Sequence, residues 1–383
     1  VFLSQAGRGF YQRDQLKMAK NEKRAKLATV VGTRPQFIKA MPLSAALKDE
    51  GFEECLIHTG QHYDYEMSEV FFRTMKLREP DYNLDAGSAS HGAQTGRMLE
   101  KMEAVLLKEK PAATIVYGDT NSTLAGALAS AKLHIPVFHV EAGLRSFNRD
   151  MPEEINRVLT DHVSELLFAP SDKAVENLAA EGLSRNVFRT GDVMYDAFTL
   201  FREKYSTRAS GLLKTLHLTG ISYGVVTIHR QENTDNDRKW KNIIRGLKDL
   251  GKSGVRLVWL VHPRTGGKLR DDGFRNIDLI KPLSYFDMQA LLSRAKIVIT
   301  DSGGLQKEAY FHRIPCVTLR DETEWVELQA AGVNRVVGTD PGKIVGGALE
   351  ALREKKSFAI PLFGNGKAAR DIVGIVKKHV RER

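Results

Sequence analysis

Short runs of apolar, β-branched residues alternate with amphipathic helical segments along this chain of 383 residues. Such alternation is typical of parallel strands joined by crossover helices, and the right-handed crossover rule leaves few possible topologies. A first series of runs predicts six strands, at residues 27–31, 54–58, 113–117, 137–140, 166–169 and 187–190.

The same pattern restarts after residue 191 and predicts a second sheet. Its strands are expected at residues 224–228, 256–261, 277–280, 297–300, 316–319 and 335–337. We therefore expect an α/β protein with two Rossmann-like, doubly wound domains that face each other across a cleft. The expected domains span residues 27–190 and 191–365, with a linking helix at 195–204 and a C-terminal helix within 366–383 whose candidate partner is the N-terminal domain.

Composition and charge exclude several classes of protein. Residues 1–26 hold seven basic and two acidic residues, a net +5 that is half of the total +10. We expect this lead to be solvated, with a natural start at Met18, and we expect no nucleic-acid partner because the rest of the chain is only mildly basic. No apolar stretch approaches the roughly 18–20 residues of a membrane helix. The two cysteines, Cys55 and Cys316, are expected to be core residues of a cytoplasmic protein.

The residues that follow the first predicted strands favour an anionic ligand. In open α/β sheets, ligands bind beyond the carboxyl ends of the strands. The first strand is followed by Gly32-Thr33-Arg34-Pro35 and a helix that carries Lys39, so a helix N-terminus and two cations lie together. An ordinary strand-to-helix turn is the alternative, and the pattern matches neither a dinucleotide fingerprint nor a Walker loop. Gln61 and His62 follow the second strand and are candidate site residues.

Three carboxylates follow the next strands. Asp119 and Glu141 each come directly after a predicted strand, and Glu153 begins a helix nearby. Carboxylates crowded at one cleft raise at least one pKa and suit general acid/base work. The alternative is that Glu153 or Glu154 caps its helix and that Asp119 faces solvent.

The second predicted sheet has its own set of polar strand ends. His229 and His262 follow its first two strands, and Ser302-Gly303-Gly304 follows its fourth. Backbone N–H groups and a hydroxyl at such a turn can bind phosphate, and Glu308, one helical turn on, could bridge ribose hydroxyls. Ser-Gly-Gly is also a common turn. Together these residues favour a nucleoside diphosphate, and nothing has the spacing of a metal site.

Taken together, these motifs closely resemble those of the non-hydrolysing UDP-N-acetylglucosamine 2-epimerase family. The motifs run in the order of the family from about residue 27 to about residue 378, which makes the resemblance specific. They are Gly32-Thr33-Arg34-Pro35, Gly118-Asp119-Thr120, the segments 139–145 and 152–157, His229-Arg230, His262-Pro263 and the segment 300–304.

The resemblance implies two Rossmann-like domains in the glycosyltransferase-B arrangement, usually as a homodimer. It also implies interconversion of UDP-GlcNAc and UDP-ManNAc without a cofactor, through elimination of UDP to 2-acetamidoglucal and re-addition, for surface polysaccharide synthesis. The implied catalytic residues are Asp119, Glu141, Glu153 and His229. With Gln61, the residues expected around the UDP-sugar are Arg34, Lys39, Arg157, His262, Ser302, Gly303, Gly304 and Glu308.

One motif departs from the pattern of the family. Many members have Thr-Glu-Arg-Pro-Glu where this chain has the segment 323–327, and Trp325 stands at the position of an arginine that contacts the nucleotide. This form is similar to a branch that acts on UDP-2,3-diacetamido-2,3-dideoxyglucuronate, whose second anion could be recognised by Arg145, Arg149 or Arg264. More distant possibilities are a UDP-sugar glycosyltransferase of the same architecture, a hydrolysing 2-epimerase, and a non-catalytic protein that binds UDP-sugars or nucleic acid.

Overall fold

The computed structural model describes residues 24–61, 78–269, 273–358 and 361–382. Residues 1–23 of the predicted basic lead, and His62, lie outside the described residues. In the described part, two parallel sheets account for all the strands, as the alternating sequence pattern predicts.

The first sheet has seven strands in the order β3-β2-β1-β4-β5-β6-β7, and every strand pair is parallel. Its central strands are buried on both faces, which is why they appear in the sequence as short continuous apolar runs. The strands are β1 (Lys26–Val31), β2 (Glu53–His58), β3 (Tyr82–Asn83), β4 (Ala113–Tyr117), β5 (Val137–Val140), β6 (Leu166–Ala169) and β7 (Val187–Arg189).

The second sheet has six strands in the order β10-β9-β8-β11-β12-β13, again all parallel. In both sheets the strand order reverses beside the first strand, as in doubly wound folds that bind ligands at this switch point. The strands are β8 (Tyr223–Ile228), β9 (Arg256–Val261), β10 (Ile277–Ile280), β11 (Ile297–Thr300), β12 (Cys316–Thr318) and β13 (Asn334–Val336).

Helices follow most of the strands and cover the sheets. In the first half they are α1 (Arg34–Asp49), α2 (His91–Glu109), α3 (Asn121–Lys132), α4 (Pro152–Val163), α5 (Asp172–Ala180), α6 (Val193–Leu200) and α7 (Arg202–Thr215). In the second half they are α8 (Gln231–Thr234), α9 (Asp237–Lys252), α10 (Pro263–Gly266), α11 (Tyr285–Leu292), α12 (Gly303–Phe311), α13 (Val326–Ala330), α14 (Pro341–Arg353) and α15 (Ala368–Arg381).

The segment that links the two sheets differs from the single helix predicted at residues 195–204. It forms two helices, α6 and α7, which meet at Phe201. Phe201 is buried and packs edge-on against Phe286 at 5.0 Å between ring centroids, so the chain bends where this aromatic ring enters the core.

The last helix, α15, packs against α1 beside the first sheet, although it follows the whole second sheet in the chain. The Nζ atom of Lys377 lies 2.5 Å from Oε2 of Glu50, and Nε2 of His379 lies 2.5 Å from Oε1 of Glu165. One apolar cluster contains residues of α1 and α15 together with Phe286 and Phe311 of the second half. The two halves therefore share buried apolar surface beside the cleft.

Candidate functional site

Arg34 and Glu308, which belong to different halves of the chain, are close enough to interact electrostatically. Arg34 begins α1 in the first half, and Glu308 lies on α12 in the second. Burial lowers the pKa of the Arg34 guanidinium, and the charge of Glu308 opposes that shift. Burial also raises the pKa of Glu308 to about 7. The two predicted ligand-binding groups thus interact electrostatically from the two halves of the chain.

Glu141 lies directly after β5 between two lysines. Its Oε2 atom is 2.7 Å from Nζ of Lys39 and 3.4 Å from Nζ of Lys307. Burial alone would raise the pKa of Glu141, but the two ammonium groups outweigh it and lower the pKa to about 2. Glu141 is therefore not the carboxylate whose pKa crowding raises, because it has cations of its own. Its backbone has a φ of +73°, a conformation that residues other than glycine seldom adopt.

Asp119 follows β4 and is held by Arg157. Its Oδ2 atom accepts hydrogen bonds from Nε and Nη2 of Arg157 at 3.0 and 2.5 Å. Arg157 is almost fully buried, while about a quarter of the Asp119 side chain, 27%, remains exposed to the cleft. The arginine therefore compensates the charge of Asp119 from the protein side and leaves the carboxylate accessible.

Glu153 and Glu154 are adjacent in α4 but have different environments. Glu154 is 1% exposed and accepts hydrogen bonds from Ser146 N–H at 2.9 Å, from Phe147 N–H at 3.0 Å and from Arg157 at 2.9 Å. Glu153 is half-buried, and its carboxylate has no hydrogen-bond or ion-pair partner within the part of the chain that the structure describes. Glu154 is thus the structural member of the pair, and Glu153 remains the candidate acid or base.

The loop after β8 is organised by Asp301, a residue that was not among the predicted site residues. This buried carboxylate accepts hydrogen bonds from the backbone N–H groups of His229 and Arg230, at 3.1 and 3.0 Å, and from the side chain of Asn233 at 3.1 Å. The ring of His229 lies 6.0 Å from that of His262, centroid to centroid. The two predicted histidines are therefore neighbours at the same edge of the second sheet.

Two predicted ligand-binding side chains have contacts within the protein. The Ser302 hydroxyl accepts a long hydrogen bond, 3.5 Å, from the backbone N–H of Leu305 and so caps α12. Gly303 and Gly304 open the same helix, so their N–H groups lie at its positive end. The Oε1 atom of Gln61 accepts from the hydroxyl and the N–H of Ser122, at 2.6 and 3.1 Å.

Two residues considered for substrate specificity are buried. Trp325 is 2% exposed, with Nζ of Lys307 4.2 Å from its ring and Phe363 edge-on at 5.5 Å. Arg145 is also 2% exposed and is bound to Asp161 and Glu181 at 2.7 Å each. Arg145 is therefore unsuited to recognise a second anion on the substrate, because its guanidinium already has two carboxylate partners. The side chain of Arg264 lies outside what the structure describes.

Among the described residues, no group of three or more His, Cys, Asp or Glu side chains could hold a metal ion. In the same residues, no helix has the length and apolar character needed to cross a bilayer.

The two facing parallel sheets and the paired charges between them define an α/β enzyme of the glycosyltransferase-B-like class. The sequence profile of the UDP-N-acetylglucosamine 2-epimerase family matches residues 45–377. The chain belongs to this family, whose members are isomerases.

Individual relatives match almost the whole chain. A UDP-N-acetylglucosamine 2-epimerase homolog of Methanococcus maripaludis is 46% identical over 92% of this chain and 99% of its own length. A UDP-2,3-diacetamido-2,3-dideoxy-D-glucuronate 2-epimerase of Pseudomonas aeruginosa is 45% identical over the same shares. The crystal structure of the Methanocaldococcus jannaschii UDP-GlcNAc 2-epimerase, in complex with UDP-GlcNAc and UDP, superposes with a TM-score of 0.84 at 40% identity, covering 92% of this chain and 99% of that one.

Proposed function

We propose that this protein interconverts UDP-GlcNAc and UDP-ManNAc by elimination and re-addition of UDP, and that the product serves surface polysaccharide synthesis. The observation that carries the proposal is a pair of charge-compensated carboxylates at adjacent strand ends, Glu141 with Lys39 and Lys307, and Asp119 with Arg157. Both carboxylates lie at the cleft. Two positively charged groups, Arg34 and the N-terminus of α12, lie at the same cleft.

The chemistry of the sugar explains why such groups are needed. The C2 proton of a UDP-sugar is not acidic, so the C1–O bond to UDP must begin to break first, which gives the ring oxocarbenium character. Carboxylates near the ring stabilise this positive charge, and cations on the diphosphate assist its departure. A base then removes the C2 proton, which leaves 2-acetamidoglucal. UDP re-adds at C1 while an acid protonates C2 from the opposite face.

The described geometry supports a division of these roles. Asp119 and Glu141 are the candidate carboxylates that stabilise the positive charge of the sugar ring, because each forms an ion pair with a cation of the protein. Glu153 supplies a carboxyl group without a protein partner among the described residues, and His229 approaches from the second half. Arg34, Lys39 and the first turn of α12 are the candidate diphosphate groups.

The reaction is tested by incubating the protein with UDP-GlcNAc in deuterated water and following C2 by proton NMR. We expect UDP-ManNAc to form with deuterium at C2, because the proton removed exchanges with solvent before re-addition. Epimerised product that keeps its original hydrogen would refute the elimination route. A glycosyltransferase would form no UDP-ManNAc, and a hydrolysing epimerase would release free ManNAc.

The role of Asp119 is tested by Asp119→Asn. This change keeps the shape of the side chain but removes its charge, and a general acid or base contributes roughly 10²–10⁴-fold to turnover. Asp172→Asn is the matched control, because Asp172 forms an exposed ion pair with Arg189 at 3.0 Å. We expect a large loss of kcat only in the Asp119 variant. Near-normal turnover of that variant would make Asp119 a structural residue.

A second candidate substrate is the diacetamido-uronate analogue, favoured by the Pseudomonas relative at 45% identity. Its extra carboxylate needs a cation that is not already fully paired. Arg149 is exposed, and Arg230 is 3.9 Å from Glu324 with 20% of its side chain exposed. A comparison of kcat/KM for the two sugars decides between them, and a preference of at least about tenfold, or 1.4 kcal/mol, identifies the substrate.

Two further properties belong to the same proposal. We expect a homodimer, which light scattering coupled to size exclusion measures directly as about twice the mass of one chain, 42.8 kDa. We also expect the protein to work in the cytoplasm, since Cys55 and Cys316 are both buried free thiols and reduced cysteines are typical of that compartment. Fractionation of cells tests the second expectation.

A further inference from the structure

Lys307 is a buried cation that links the two halves of the molecule. It lies on α12 in the second half and is 1% exposed. Its Nζ atom is 2.6 Å from Oδ2 of Asp192 and 3.4 Å from Oε2 of Glu141, both in segments that precede the second sheet. The ring of Trp325 covers the ammonium group from the other side at 4.2 Å. A lysine is seldom buried unless its charge is paired, and here two carboxylates pair it.

Asp192, the nearer of those carboxylates, lies where the chain passes from one half to the other. Its backbone N–H donates to the carbonyl of Phe363 at 3.0 Å. Phe363 lies in the segment through which the chain returns from the second half to the first. Gly191 and Gly364 flank this contact with φ of +89° and +86°, and a Cβ added to Gly191 would lie 2.9 Å from the Phe363 carbonyl oxygen. The two segments therefore meet at this junction, and Asp196 adds to it by accepting hydrogen bonds from the N–H groups of Ala368 and Ala369 at 3.2 and 2.8 Å. We take the junction as the place about which the halves would rotate.

We infer that Lys307 is a positioning residue that fixes the Glu141 carboxylate relative to this junction, so that Glu141 is in place only while the two halves hold the described arrangement. The inference rests on the proposed function, because the role of Glu141 belongs to it. Lys307 contacts the junction and the cleft carboxylate with one atom, so a rotation of the halves that moves α12 also moves the ammonium group away from Glu141.

A charge-balanced variant can separate the positioning of Glu141 from the neutralisation of its charge. The groups that face Glu141 are Lys39 from α1 and Lys307 from α12, and Asp192 at the start of α6 faces Lys307. This cluster of two lysines and two carboxylates is neutral. Removing Lys307 alone leaves two carboxylates for one lysine, whereas Lys307→Met combined with Asp192→Asn leaves Glu141 paired with Lys39. The double variant restores the charge balance but not the link to the junction.

The experiment compares this double variant with the wild-type chain and with Lys173→Met, a surface lysine that pairs only with Glu176 at 3.0 Å among the residues described. We expect a folded double variant whose kcat falls roughly 10²-fold, the typical effect of a misplaced catalytic group, with KM changed by less than about threefold. The comparison is made well above pH 7, because Lys307 also lowers the pKa of its neighbour Glu308, about 7 in the wild type, and Glu308 has to be ionised in both proteins. Lys173→Met should match the wild type.

Lys307→Arg provides a second measurement, since it keeps the cation and should retain more turnover than the double variant. A folded double variant with wild-type kcat, or with wild-type kcat and only a raised KM, would overturn the inference, as would a Lys307→Arg variant that loses as much kcat as the double variant. Failure of both variants to fold would assign Lys307 to the fold alone and overturn it as well. Absence of deuterium exchange at C2 in the wild-type chain would instead refute the proposed function, independently of Lys307.

Discussion

The imidazole of His139 lies 2.6 Å from the carboxylate of Asp161, Nδ1 to Oδ1, and both side chains are fully buried. The other ring nitrogen, Nε2, is 2.8 Å from the carbonyl oxygen of Gly118. Each ring nitrogen of His139 therefore has a partner inside the protein. Because Gly118 precedes Asp119, this buried histidine fixes the backbone that presents a candidate catalytic carboxylate.

We therefore predict that His139→Phe destabilises the protein. The change removes the contacts of the ring with the Asp161 carboxylate and with the Gly118 carbonyl, and a buried polar group that loses its partner typically costs about 1–3 kcal/mol. Urea unfolding measures this loss. The matched control is His162→Phe, since His162 is exposed and bonds locally to the Val158 carbonyl at 2.9 Å. Equal stability of the two variants would contradict this account of His139.

The neighbours Glu153 and Glu154 should separate activity from stability. Glu154→Gln places an amide where the carboxylate accepts several N–H and O–H donors, so we expect a loss of about 1–3 kcal/mol in the free energy of unfolding. Glu153→Gln breaks no contact within the described residues, so stability should change by less than about 0.5 kcal/mol. Its turnover should fall by roughly 10²–10⁴-fold if the carboxyl group acts as an acid or base. The opposite pattern would exchange the two roles.

UDP affinity should depend on pH through Glu308. Burial raises the pKa of this carboxyl group to about 7, and only its ionised form accepts hydrogen bonds from both ribose hydroxyls. Affinity should therefore rise, by roughly three- to tenfold, between about pH 6 and about pH 8. Calorimetric titration of Glu308→Gln provides the control, because the ionisation of UDP itself is common to both proteins. An equal pH dependence in the variant would show that Glu308 does not contribute.

Gly303 and Gly304 offer another matched pair. A Cβ added to Gly303 would overlap the Oε1 atom of Glu324, a buried carboxylate held by Arg320 at 2.6 Å. At Gly304 the nearest atom to an added Cβ, the Ser302 hydroxyl, is 4.0 Å away. We expect Gly303→Ala to lower the melting temperature and Gly304→Ala to leave it unchanged or raise it, since alanine favours helix by up to about 1 kcal/mol. Equal melting temperatures would contradict the predicted overlap.

Most strands could be predicted because buried parallel strands are continuous apolar runs. Residues 113–117 and 297–300 were predicted with the observed bounds. The strand Tyr82–Asn83 was missed because it has two residues and carries no apolar run. Sequence patterns record burial along a strand, so a short edge strand that is held only by backbone pairing leaves little signal.

The contacts within the site were harder to predict. Lys307 lies 115 positions from Asp192 and 166 from Glu141, so its burial depends on packing between distant segments. Glu153 and Glu154 could not be distinguished either, because neighbouring residues of a helix differ only in the direction that they face. Asp301 had a signal, its place at a strand end, but a carboxylate that organises a loop and one that contacts substrate have the same sequence pattern.

The position of α15 affects how the chain folds during synthesis. Ile372 and Val376 of α15 belong to the same apolar cluster as Leu43 and Leu47 of α1. The ribosome therefore makes the first half, and then the whole second half, before the helix that covers this surface emerges. At translation rates of roughly 5–20 residues per second, the part of α1 that α15 covers stays open to water for more than about ten seconds. During that interval the nascent first half carries an exposed apolar surface of the kind that favours aggregation.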